Sequence, residues 1–346
     1  MRAAIYKNFK GPISIENVPD PTPNPQGVVV KVNASGICRS DWHGWMGHDS
    51  DIHLPHIPGH ELAGEIIETG IEVQHFKVGD RITVPFVCGC GRCVPCIEGN
   101  QHVCDHQSQP GFTHWGSFAQ YVTLDYADQN LVLLPEEIDN ITAASLGCRF
   151  VTSFRAVVAQ GKIRKGQFVA IHGCGGVGLS AIMIAKAYGA IPIAIDINDS
   201  ILKKAKKLGA EYTLNANQSQ NIPGDIKEIT KGGCHISIDA LGSTQTCLNS
   251  IQSLRKRGKH IQVGLMVNHH STLPIPMDKI IADELELIGS HGMQAHRYPD
   301  MLDMIINGSL QPELLLDRTV TLEESTNILM NMDKFENIGM VVIDRF

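Results

Sequence analysis

The residues best able to do chemistry are crowded between Gly36 and Glu61. The stretch begins Gly36-Ile37-Cys38-Arg39-Ser40-Asp41-Trp42-His43 and closes Pro58-Gly59-His60-Glu61. It offers a thiol, imidazoles, a hydroxyl and carboxylates. A thiolate plus an imidazole suits zinc, and a site with only three protein ligands keeps one position open for substrate. A third ligand must come from elsewhere in the chain, and Cys148 is the natural candidate. The competing reading is a buried free cysteine and a satisfied core histidine, both common in proteins.

A second group follows in Cys88-Gly89-Cys90-Gly91-Arg92-Cys93-Val94-Pro95-Cys96 and then Cys104. Cys90, Cys93, Cys96 and Cys104 are separated by two, two and seven residues. The segment is rich in glycine and polar residues and has little core of its own. A four-cysteine zinc site would supply that stability. An iron–sulfur cluster also takes four cysteines, but with other spacings. Cys88 is out of step and is expected to be spare.

The third group is Gly173-Cys174-Gly175-Gly176-Val177-Gly178. It follows an apolar run, Gln167 to His172, and opens an apolar helical stretch to about Tyr188. That context makes it a dinucleotide-binding loop. Gly173 permits a tight turn, Gly175 lets the backbone approach a pyrophosphate, and Gly178 lets helix and strand pack closely. The phosphates would meet free amides at the positive end of a helix. Asp196 ends the next buried run, Ile191 to Ile197, where a carboxylate can accept from a ribose 2′-hydroxyl. It would repel a 2′-phosphate, so NAD is expected over NADP.

These groups need two kinds of scaffold. A chain of 346 residues suggests two domains. Residues 1 to 35 read as short strands broken by Pro19, Pro21, Pro23 and Pro25, with Val28 to Val32 a strand. More short strands are expected from Glu61 to Val87 and over Gly116 to Val122. Ala143 to Cys148 should open a helical stretch through about Ala159. After Gln167 the pattern changes to strands alternating with helices. Strands are expected at 167–172, 191–197, near Tyr212 to Leu214, and at His235–Asp239, His260–Val263 and Leu285–Ile288, with Lys203 to Leu208 helical. Six such strands imply a doubly wound parallel sheet, an α/β fold. The final Met340-Val341-Val342-Ile343 is expected to pair back onto the first domain.

Composition excludes several classes. Hydrophobic residues make up 43% and charged residues 19%, as in an ordinary globular protein. The net charge of -7 without a basic run argues against nucleic acid as a partner. No run reaches the length of a membrane span. The N-terminus lacks the apolar core of a signal peptide, so the ten cysteines read as thiols and metal ligands and the cytoplasm is the expected compartment.

Over its whole length the chain resembles the zinc-containing alcohol dehydrogenases of the medium-chain dehydrogenase/reductase family. The resemblance implies a GroES-like catalytic domain over 1–149 with a structural zinc lobe. It implies a Rossmann NAD-binding domain over 150–290 and a return to the catalytic domain over 291–346. By position, Cys38, His60 and Cys148 match the catalytic zinc ligands, and Cys90, Cys93, Cys96 and Cys104 the structural ones. Asp41 matches the acid that orients His60, and Glu61 a carboxylate able to approach the metal. Ser40 and His43 match a proton relay. Arg39 matches a pyrophosphate contact, and Gly176, Val177 and Gly264 join Gly173, Gly175, Gly178 and Asp196 as cofactor residues. Trp45 and Phe86 align with walls of the substrate pocket. Trp42, Trp115, His48, His53 and His56 have no counterpart and read as packing or solvent-facing residues.

Two positions depart from the family. Ile201 and Met340 stand where relatives often carry Lys and Arg, which removes positive charge near the cofactor. The implied activity is reversible hydride transfer between a primary or secondary alcohol and NAD, with two zinc ions per chain and a homotetramer favoured over a dimer. A polyol dehydrogenase is the nearest rival, although Cys148 weighs against it, because that branch usually places a carboxylate among its metal ligands. A non-catalytic NAD-binding scaffold or redox sensor is the rival of another class, but it has no use for the relay residues.

Overall fold

A computed structural model describes residues 1–267, 270–334 and 338–346. The chain forms two compact units. The first comprises Met1–Val151, Gly292–Ile306 and Leu316–Phe346, and the second Thr152–His291 and Asn307–Leu315.

The strands of the first unit are β1 (Arg2–Tyr6), β2 (Ile13–Asn17), β3 (Val28–Ile37), β4 (Glu61–Thr69), β5 (Arg81–Thr83), β6 (Tyr121–Leu124) and β7 (Val132–Leu133). Those of the second are β8 (Phe168–His172), β9 (Ile191–Asp196), β10 (Tyr212–Asn215), β11 (Cys234–Asp239), β12 (Leu254–Gln262) and β13 (Glu286–Gly289). The chain then returns to the first unit with β14 (Leu316–Thr321) and β15 (Met340–Arg345).

In the first unit, β1 and β2 form an antiparallel pair, and a seven-stranded sheet runs β14-β15-β3-β4-β5-β7 with β6 beside β3. The valine-rich β3 is its spine, because β-branched side chains fit a pleated, buried surface. It pairs with β4, β6 and β15. Val341 of β15 lies opposite Ile37, so the late apolar run steadies the strand that delivers Cys38. One core packs Tyr6, Ile37, Trp42, Trp45 and Phe118, and another packs Val28, Val30, Leu62, Ile66 and Ile82.

The expected strand over 116–122 is shorter than its sequence suggests, since β6 begins only at Tyr121. The preceding amides are bound elsewhere. Gly116, Ser117 and Phe118 donate to the carbonyls of Ile57, Gly59 and Pro58 at 2.8, 2.9 and 2.9 Å. A Cβ at Gly116 would stand 2.2 Å from the Gly59 carbonyl oxygen. The segment therefore clamps the chain just before His60 instead of extending the sheet.

The second unit is a six-stranded sheet of order β10-β9-β8-β11-β12-β13 with every neighbouring pair parallel. This is the doubly wound arrangement, whose strand order reverses beside the first strand, β8. Parallel strands covered on both faces read as continuous apolar runs, as Phe168 to His172 does. Ile193, Ile195, Ile226, Ile251 and Leu254 are among its core residues.

From Asn140 to Gln160 the backbone is helical, but wider π-type turns occupy Leu146–Phe150 and Arg155–Gln160. Such turns occur often at functional sites, and the first of these carries Cys148. Among the described residues no helix is long and apolar enough to cross a membrane.

Candidate functional site

The first cluster is assembled around a buried carboxylate. β3 ends at Ile37, Cys38 caps the helix Arg39–Trp45, and Asp41 sits in the first turn of that helix. Asp41 Oδ2 accepts from the Cys38 amide at 2.9 Å, and Oδ1 accepts from the Gly59 amide at 3.0 Å. Oδ1 also accepts from His60 Nδ1 at 2.8 Å. One side chain thus ties the two halves of the sequence motif together. It also fixes the imidazole tautomer, because a carboxylate acceptor holds the proton on Nδ1 and leaves Nε2 as a lone pair.

His60 is fully buried, and its Nε2 has no hydrogen-bond partner. An orphaned buried nitrogen of this kind is costly unless something occupies it. The ligand atoms of Cys38, His60, Glu61 and Cys148 all lie within 4.8 Å of one another. A hydrogen bond from Cys148, and then His60, hold the Cys38 thiol well below its usual range against burial, and Cys148 is pushed up in return. Burial would lower His60, but Asp41 and Cys38 outweigh it and the imidazole is raised, so a metal binding at Nε2 would displace a proton. Two sulfurs and an oriented imidazole whose Nε2 is unpartnered fit a zinc ion.

Glu61 does not face this cluster alone. Arg149, which follows Cys148, donates from its amide to Oε1 at 3.0 Å and from Nε to Oε1 and Oε2 at 2.9 and 3.1 Å. Its NH2 group also contacts Oε2. Burial holds the Glu61 carboxyl above its usual range, with the Arg149 guanidinium opposing the rise. Gly36 leaves the room, since a Cβ there would lie 2.4 Å from Glu61 Oε2 and 3.1 Å from the Arg149 guanidinium. Sequence reading missed Arg149, although a lone arginine beside a ligand cysteine in an apolar stretch was a signal that it needed a partner.

The remaining residues of the first motif are spread along its helix. Ser40 lies half-buried in the first turn. His43, a turn later, meets His48 with Nδ1 to Nδ1 at 2.9 Å. Arg39 donates to the Met332 carbonyl at 2.7 Å and stacks 4.1 Å over the Trp42 ring. Phe86 lies beside the cluster, its ring centroid 6.1 Å from that of His60. Trp45 packs in the core and donates its indole N–H to the Gly11 carbonyl at 2.8 Å.

Cys90, Cys93, Cys96 and Cys104 also bring their sulfurs within 4.8 Å of one another. Cys104 Sγ accepts from the amides of Cys90 and His106, each at 3.2 Å. Backbone donors aimed at sulfur stabilise thiolates, which zinc requires. Four sulfurs without an exchangeable position make a closed, structural site. Cys88 stands apart, fully buried with its sulfur directed at the Pro85 carbonyl.

In the second unit the glycine loop joins β8 to the helix Gly176–Ala187. Gly173 has φ +86, a conformation that favours glycine. A Cβ at Gly178 would lie 2.0 Å from the Gly173 carbonyl oxygen, whereas one at Gly175 would meet nothing within 4 Å. The backbone at Gly175 is therefore open to a ligand, as a pyrophosphate cradle at a helix start requires. Val177 follows in the first helical turn, its carbonyl accepting from Ser153 Oγ at 2.8 Å. Asp196 ends β9 half-buried and accepts from the Cys174 and Asn198 amides at 2.8 and 3.0 Å. Gly264 lies against the Gly242 backbone, where a Cβ would come within 2.2 Å of its nitrogen. Fold and loop fit a nicotinamide dinucleotide.

A Rossmann sheet, a GroES-like unit and two sets of zinc-ready sulfurs define a zinc-dependent, NAD(P)-using dehydrogenase. The zinc-binding dehydrogenase family matches residues 176–307, and the alcohol dehydrogenase GroES-like domain matches residues 24–136. An alcohol dehydrogenase of Geobacillus stearothermophilus is 32% identical over 99% of this chain and 98% of its own. A sorbitol dehydrogenase of Halalkalibacterium halodurans is 32% identical over 91% of this chain and 90% of its own. Among solved structures, the alcohol dehydrogenase of Thermus sp. ATN1 superposes with a TM-score of 0.90 at 28% identity, covering 99% of both chains. The chain belongs to the zinc-containing medium-chain alcohol dehydrogenase family.

Proposed function

We propose that the chain is an NAD-dependent alcohol dehydrogenase that reversibly converts a primary or secondary alcohol into an aldehyde or ketone. The observation that carries this is the buried, unpartnered Nε2 of His60, aimed among the sulfurs of Cys38 and Cys148 and oriented by Asp41. A zinc ion held by Cys38, His60 and Cys148 would supply a Lewis acid that acidifies an alcohol hydroxyl, as zinc lowers the pKa of water to about 7 in other enzymes.

The chain's own groups do the rest. Asp41 keeps His60 in one tautomer and, by binding the Cys38 and Gly59 amides, holds both ligands at a fixed separation. Ser40 and His43 receive and pass on the hydroxyl proton. Arg149 occupies both oxygens of Glu61, whose carboxylate already stands within 4.8 Å of the ligand atoms, so Glu61 would bind the metal only by giving up part of that pair. The open backbone at Gly175 receives the cofactor pyrophosphate with help from Arg39, and Asp196 takes the ribose hydroxyl and disfavours a 2′-phosphate. Phe86 and Trp45 would wall the substrate pocket. Cys90, Cys93, Cys96 and Cys104 hold a second, structural zinc.

A polyol substrate is the second reading, supported by the sorbitol dehydrogenase among the relatives. NADH formation with primary, secondary, aromatic and polyol alcohols separates the two. Turnover of simple alcohols well above polyols is expected, and turnover of polyols alone would favour the second reading. No turnover with any alcohol would return the chain to a binding or sensing role. The length of the chain, in a family that includes dimers and tetramers, supports a homotetramer, which sedimentation velocity tests. The thiol-rich composition supports a cytoplasmic setting.

A further inference from the structure

The helix that carries the first motif ends in a way that brings two histidines together. Met46 is its C-cap, Gly47 takes φ +75, and His48 follows. The Gly47 amide donates to the Gly44 carbonyl at 2.9 Å, and the His48 amide donates to the His43 carbonyl at 3.0 Å. This pair of bonds is the Schellman closure, which sets the second residue past the cap against the last full turn. A Cβ at Gly47 would press on the Phe9 ring at 3.0 Å, so both conformation and space call for glycine there. The side chains at the two juxtaposed positions are both imidazoles, with Nδ1 to Nδ1 at 2.9 Å. Trp42 packs close to perpendicular to both rings, with centroids 5.1 and 6.0 Å away.

Two neutral imidazoles can share such a contact in one way only. One ring carries its proton on Nδ1 and donates, and the other carries its proton on Nε2 and accepts. His43 is half-buried and His48 is exposed. We infer that His48 is a further proton-transfer residue, continuing the path from His43 to the surface through the Nδ1–H···Nδ1 bond. The inference rests on the dehydrogenase reading above.

A proton arriving at His43 Nε2 leaves that ring as its Nδ1 proton, which forms a new N–H bond at His48 Nδ1. His48 releases its Nε2 proton to water. Neither ring changes charge overall, and both end in the opposite tautomer. This matters because His43 stores a proton poorly: burial first, then Arg39 and His48, push it down to about 4, with Cys38 pulling the other way. From the turn Met332–Lys334, Asp333 bears on Arg39 rather than on His43. A ring that resists a positive charge at neutral pH conducts best when a second base takes its proton in concert.

The test uses His48→Phe, which keeps an aromatic ring against Trp42 but removes the base. In single turnovers, where product release does not mask the step, alcohol oxidation should fall about tenfold near pH 6. That is less than the hundredfold at which general acid–base contributions usually begin, because water can replace His48. The loss should shrink at higher pH and be partly reversed by added imidazole, and His43→Gln/His48→Phe should be no slower than His43→Gln. Independently of activity, the ¹⁵N-histidine-labelled protein should show scalar coupling between the two Nδ1 atoms, abolished in His48→Phe. An active wild type with an unchanged His48→Phe pH profile, or without that coupling, overturns the inference alone. A wild type inactive with every alcohol overturns the dehydrogenase reading and this inference with it.

Discussion

Replacing Arg149 by methionine should be among the most damaging single changes outside the ligands. The side chain is 10% exposed and its partner Glu61 0% exposed, so water cannot take over the interaction. Arg149→Met removes the guanidinium contacts and leaves Glu61 with the backbone amide of residue 149 as its remaining donor there. Methionine fills much of the same volume, so the loss is chiefly that of an uncompensated buried charge. Breaking a buried pair from one side costs about 3–5 kcal/mol. Glu61→Gln/Arg149→Met removes both charges and should recover at least about 2 kcal/mol of that, within the range of coupling between neighbours in contact.

Urea unfolding followed by tryptophan fluorescence reads this selectively, because Trp42, Trp45 and Trp115 all lie in the unit that holds Arg149 and Glu61. With slopes of about 1–3 kcal/mol/M, the single variant should lose at least about 1 M in midpoint. A midpoint within about 0.2 M of the wild type, or a double variant no more stable than Arg149→Met, would show that the pair does not hold this site together.

Further outcomes follow from the same geometry. Cys93→Ser opens the four-sulfur set, and metal analysis should find one zinc fewer per chain together with a lower thermal midpoint. Retention of both metals would contradict a closed structural site. Asp196→Gly should lose about ten- to a hundredfold in NAD affinity, the worth of a charge-assisted hydrogen bond, while gaining use of NADP. Equal use of both cofactors by the wild type would remove Asp196 as the discriminator. Arg39→Ala should weaken NADH binding by at least about tenfold with zinc content unchanged; titration giving the wild-type affinity would mean that the loop amides suffice.

Much of this molecule was readable because its chemistry is written in local spacing. Cys90, Cys93, Cys96 and Cys104 lie within one short loop, and their sulfurs converge within 4.8 Å. The glycine loop was legible because a turn, a close approach and a helix start fall within six residues. Parallel strands buried on both faces announced the doubly wound sheet by their continuous apolar runs. What escaped was partnership across distance. Glu61 and Arg149 are 88 residues apart, and nothing local in either says that they meet. The strand expected at 116 was lost because its amides are claimed by Ile57, Pro58 and Gly59, a competition invisible to alternation alone. His48 is exposed, in keeping with its reading, but its meeting with His43 went unread because the helix closure at Gly47, rather than any ligand-like spacing, sets the two together.

Cys38 in a catalytic metal site distinct from the four-cysteine site would make alcohol oxidation depend on that one sulfur. Alcohol-dependent NADH formation by Cys38→Ser, measured beside the wild type on protein matched for fold and for NADH binding, tests it most directly. The wild type should turn over and Cys38→Ser should show no rate above background. A Cys38→Ser protein that oxidises alcohol at the wild-type rate would mean that Cys38 is not a ligand of the catalytic metal.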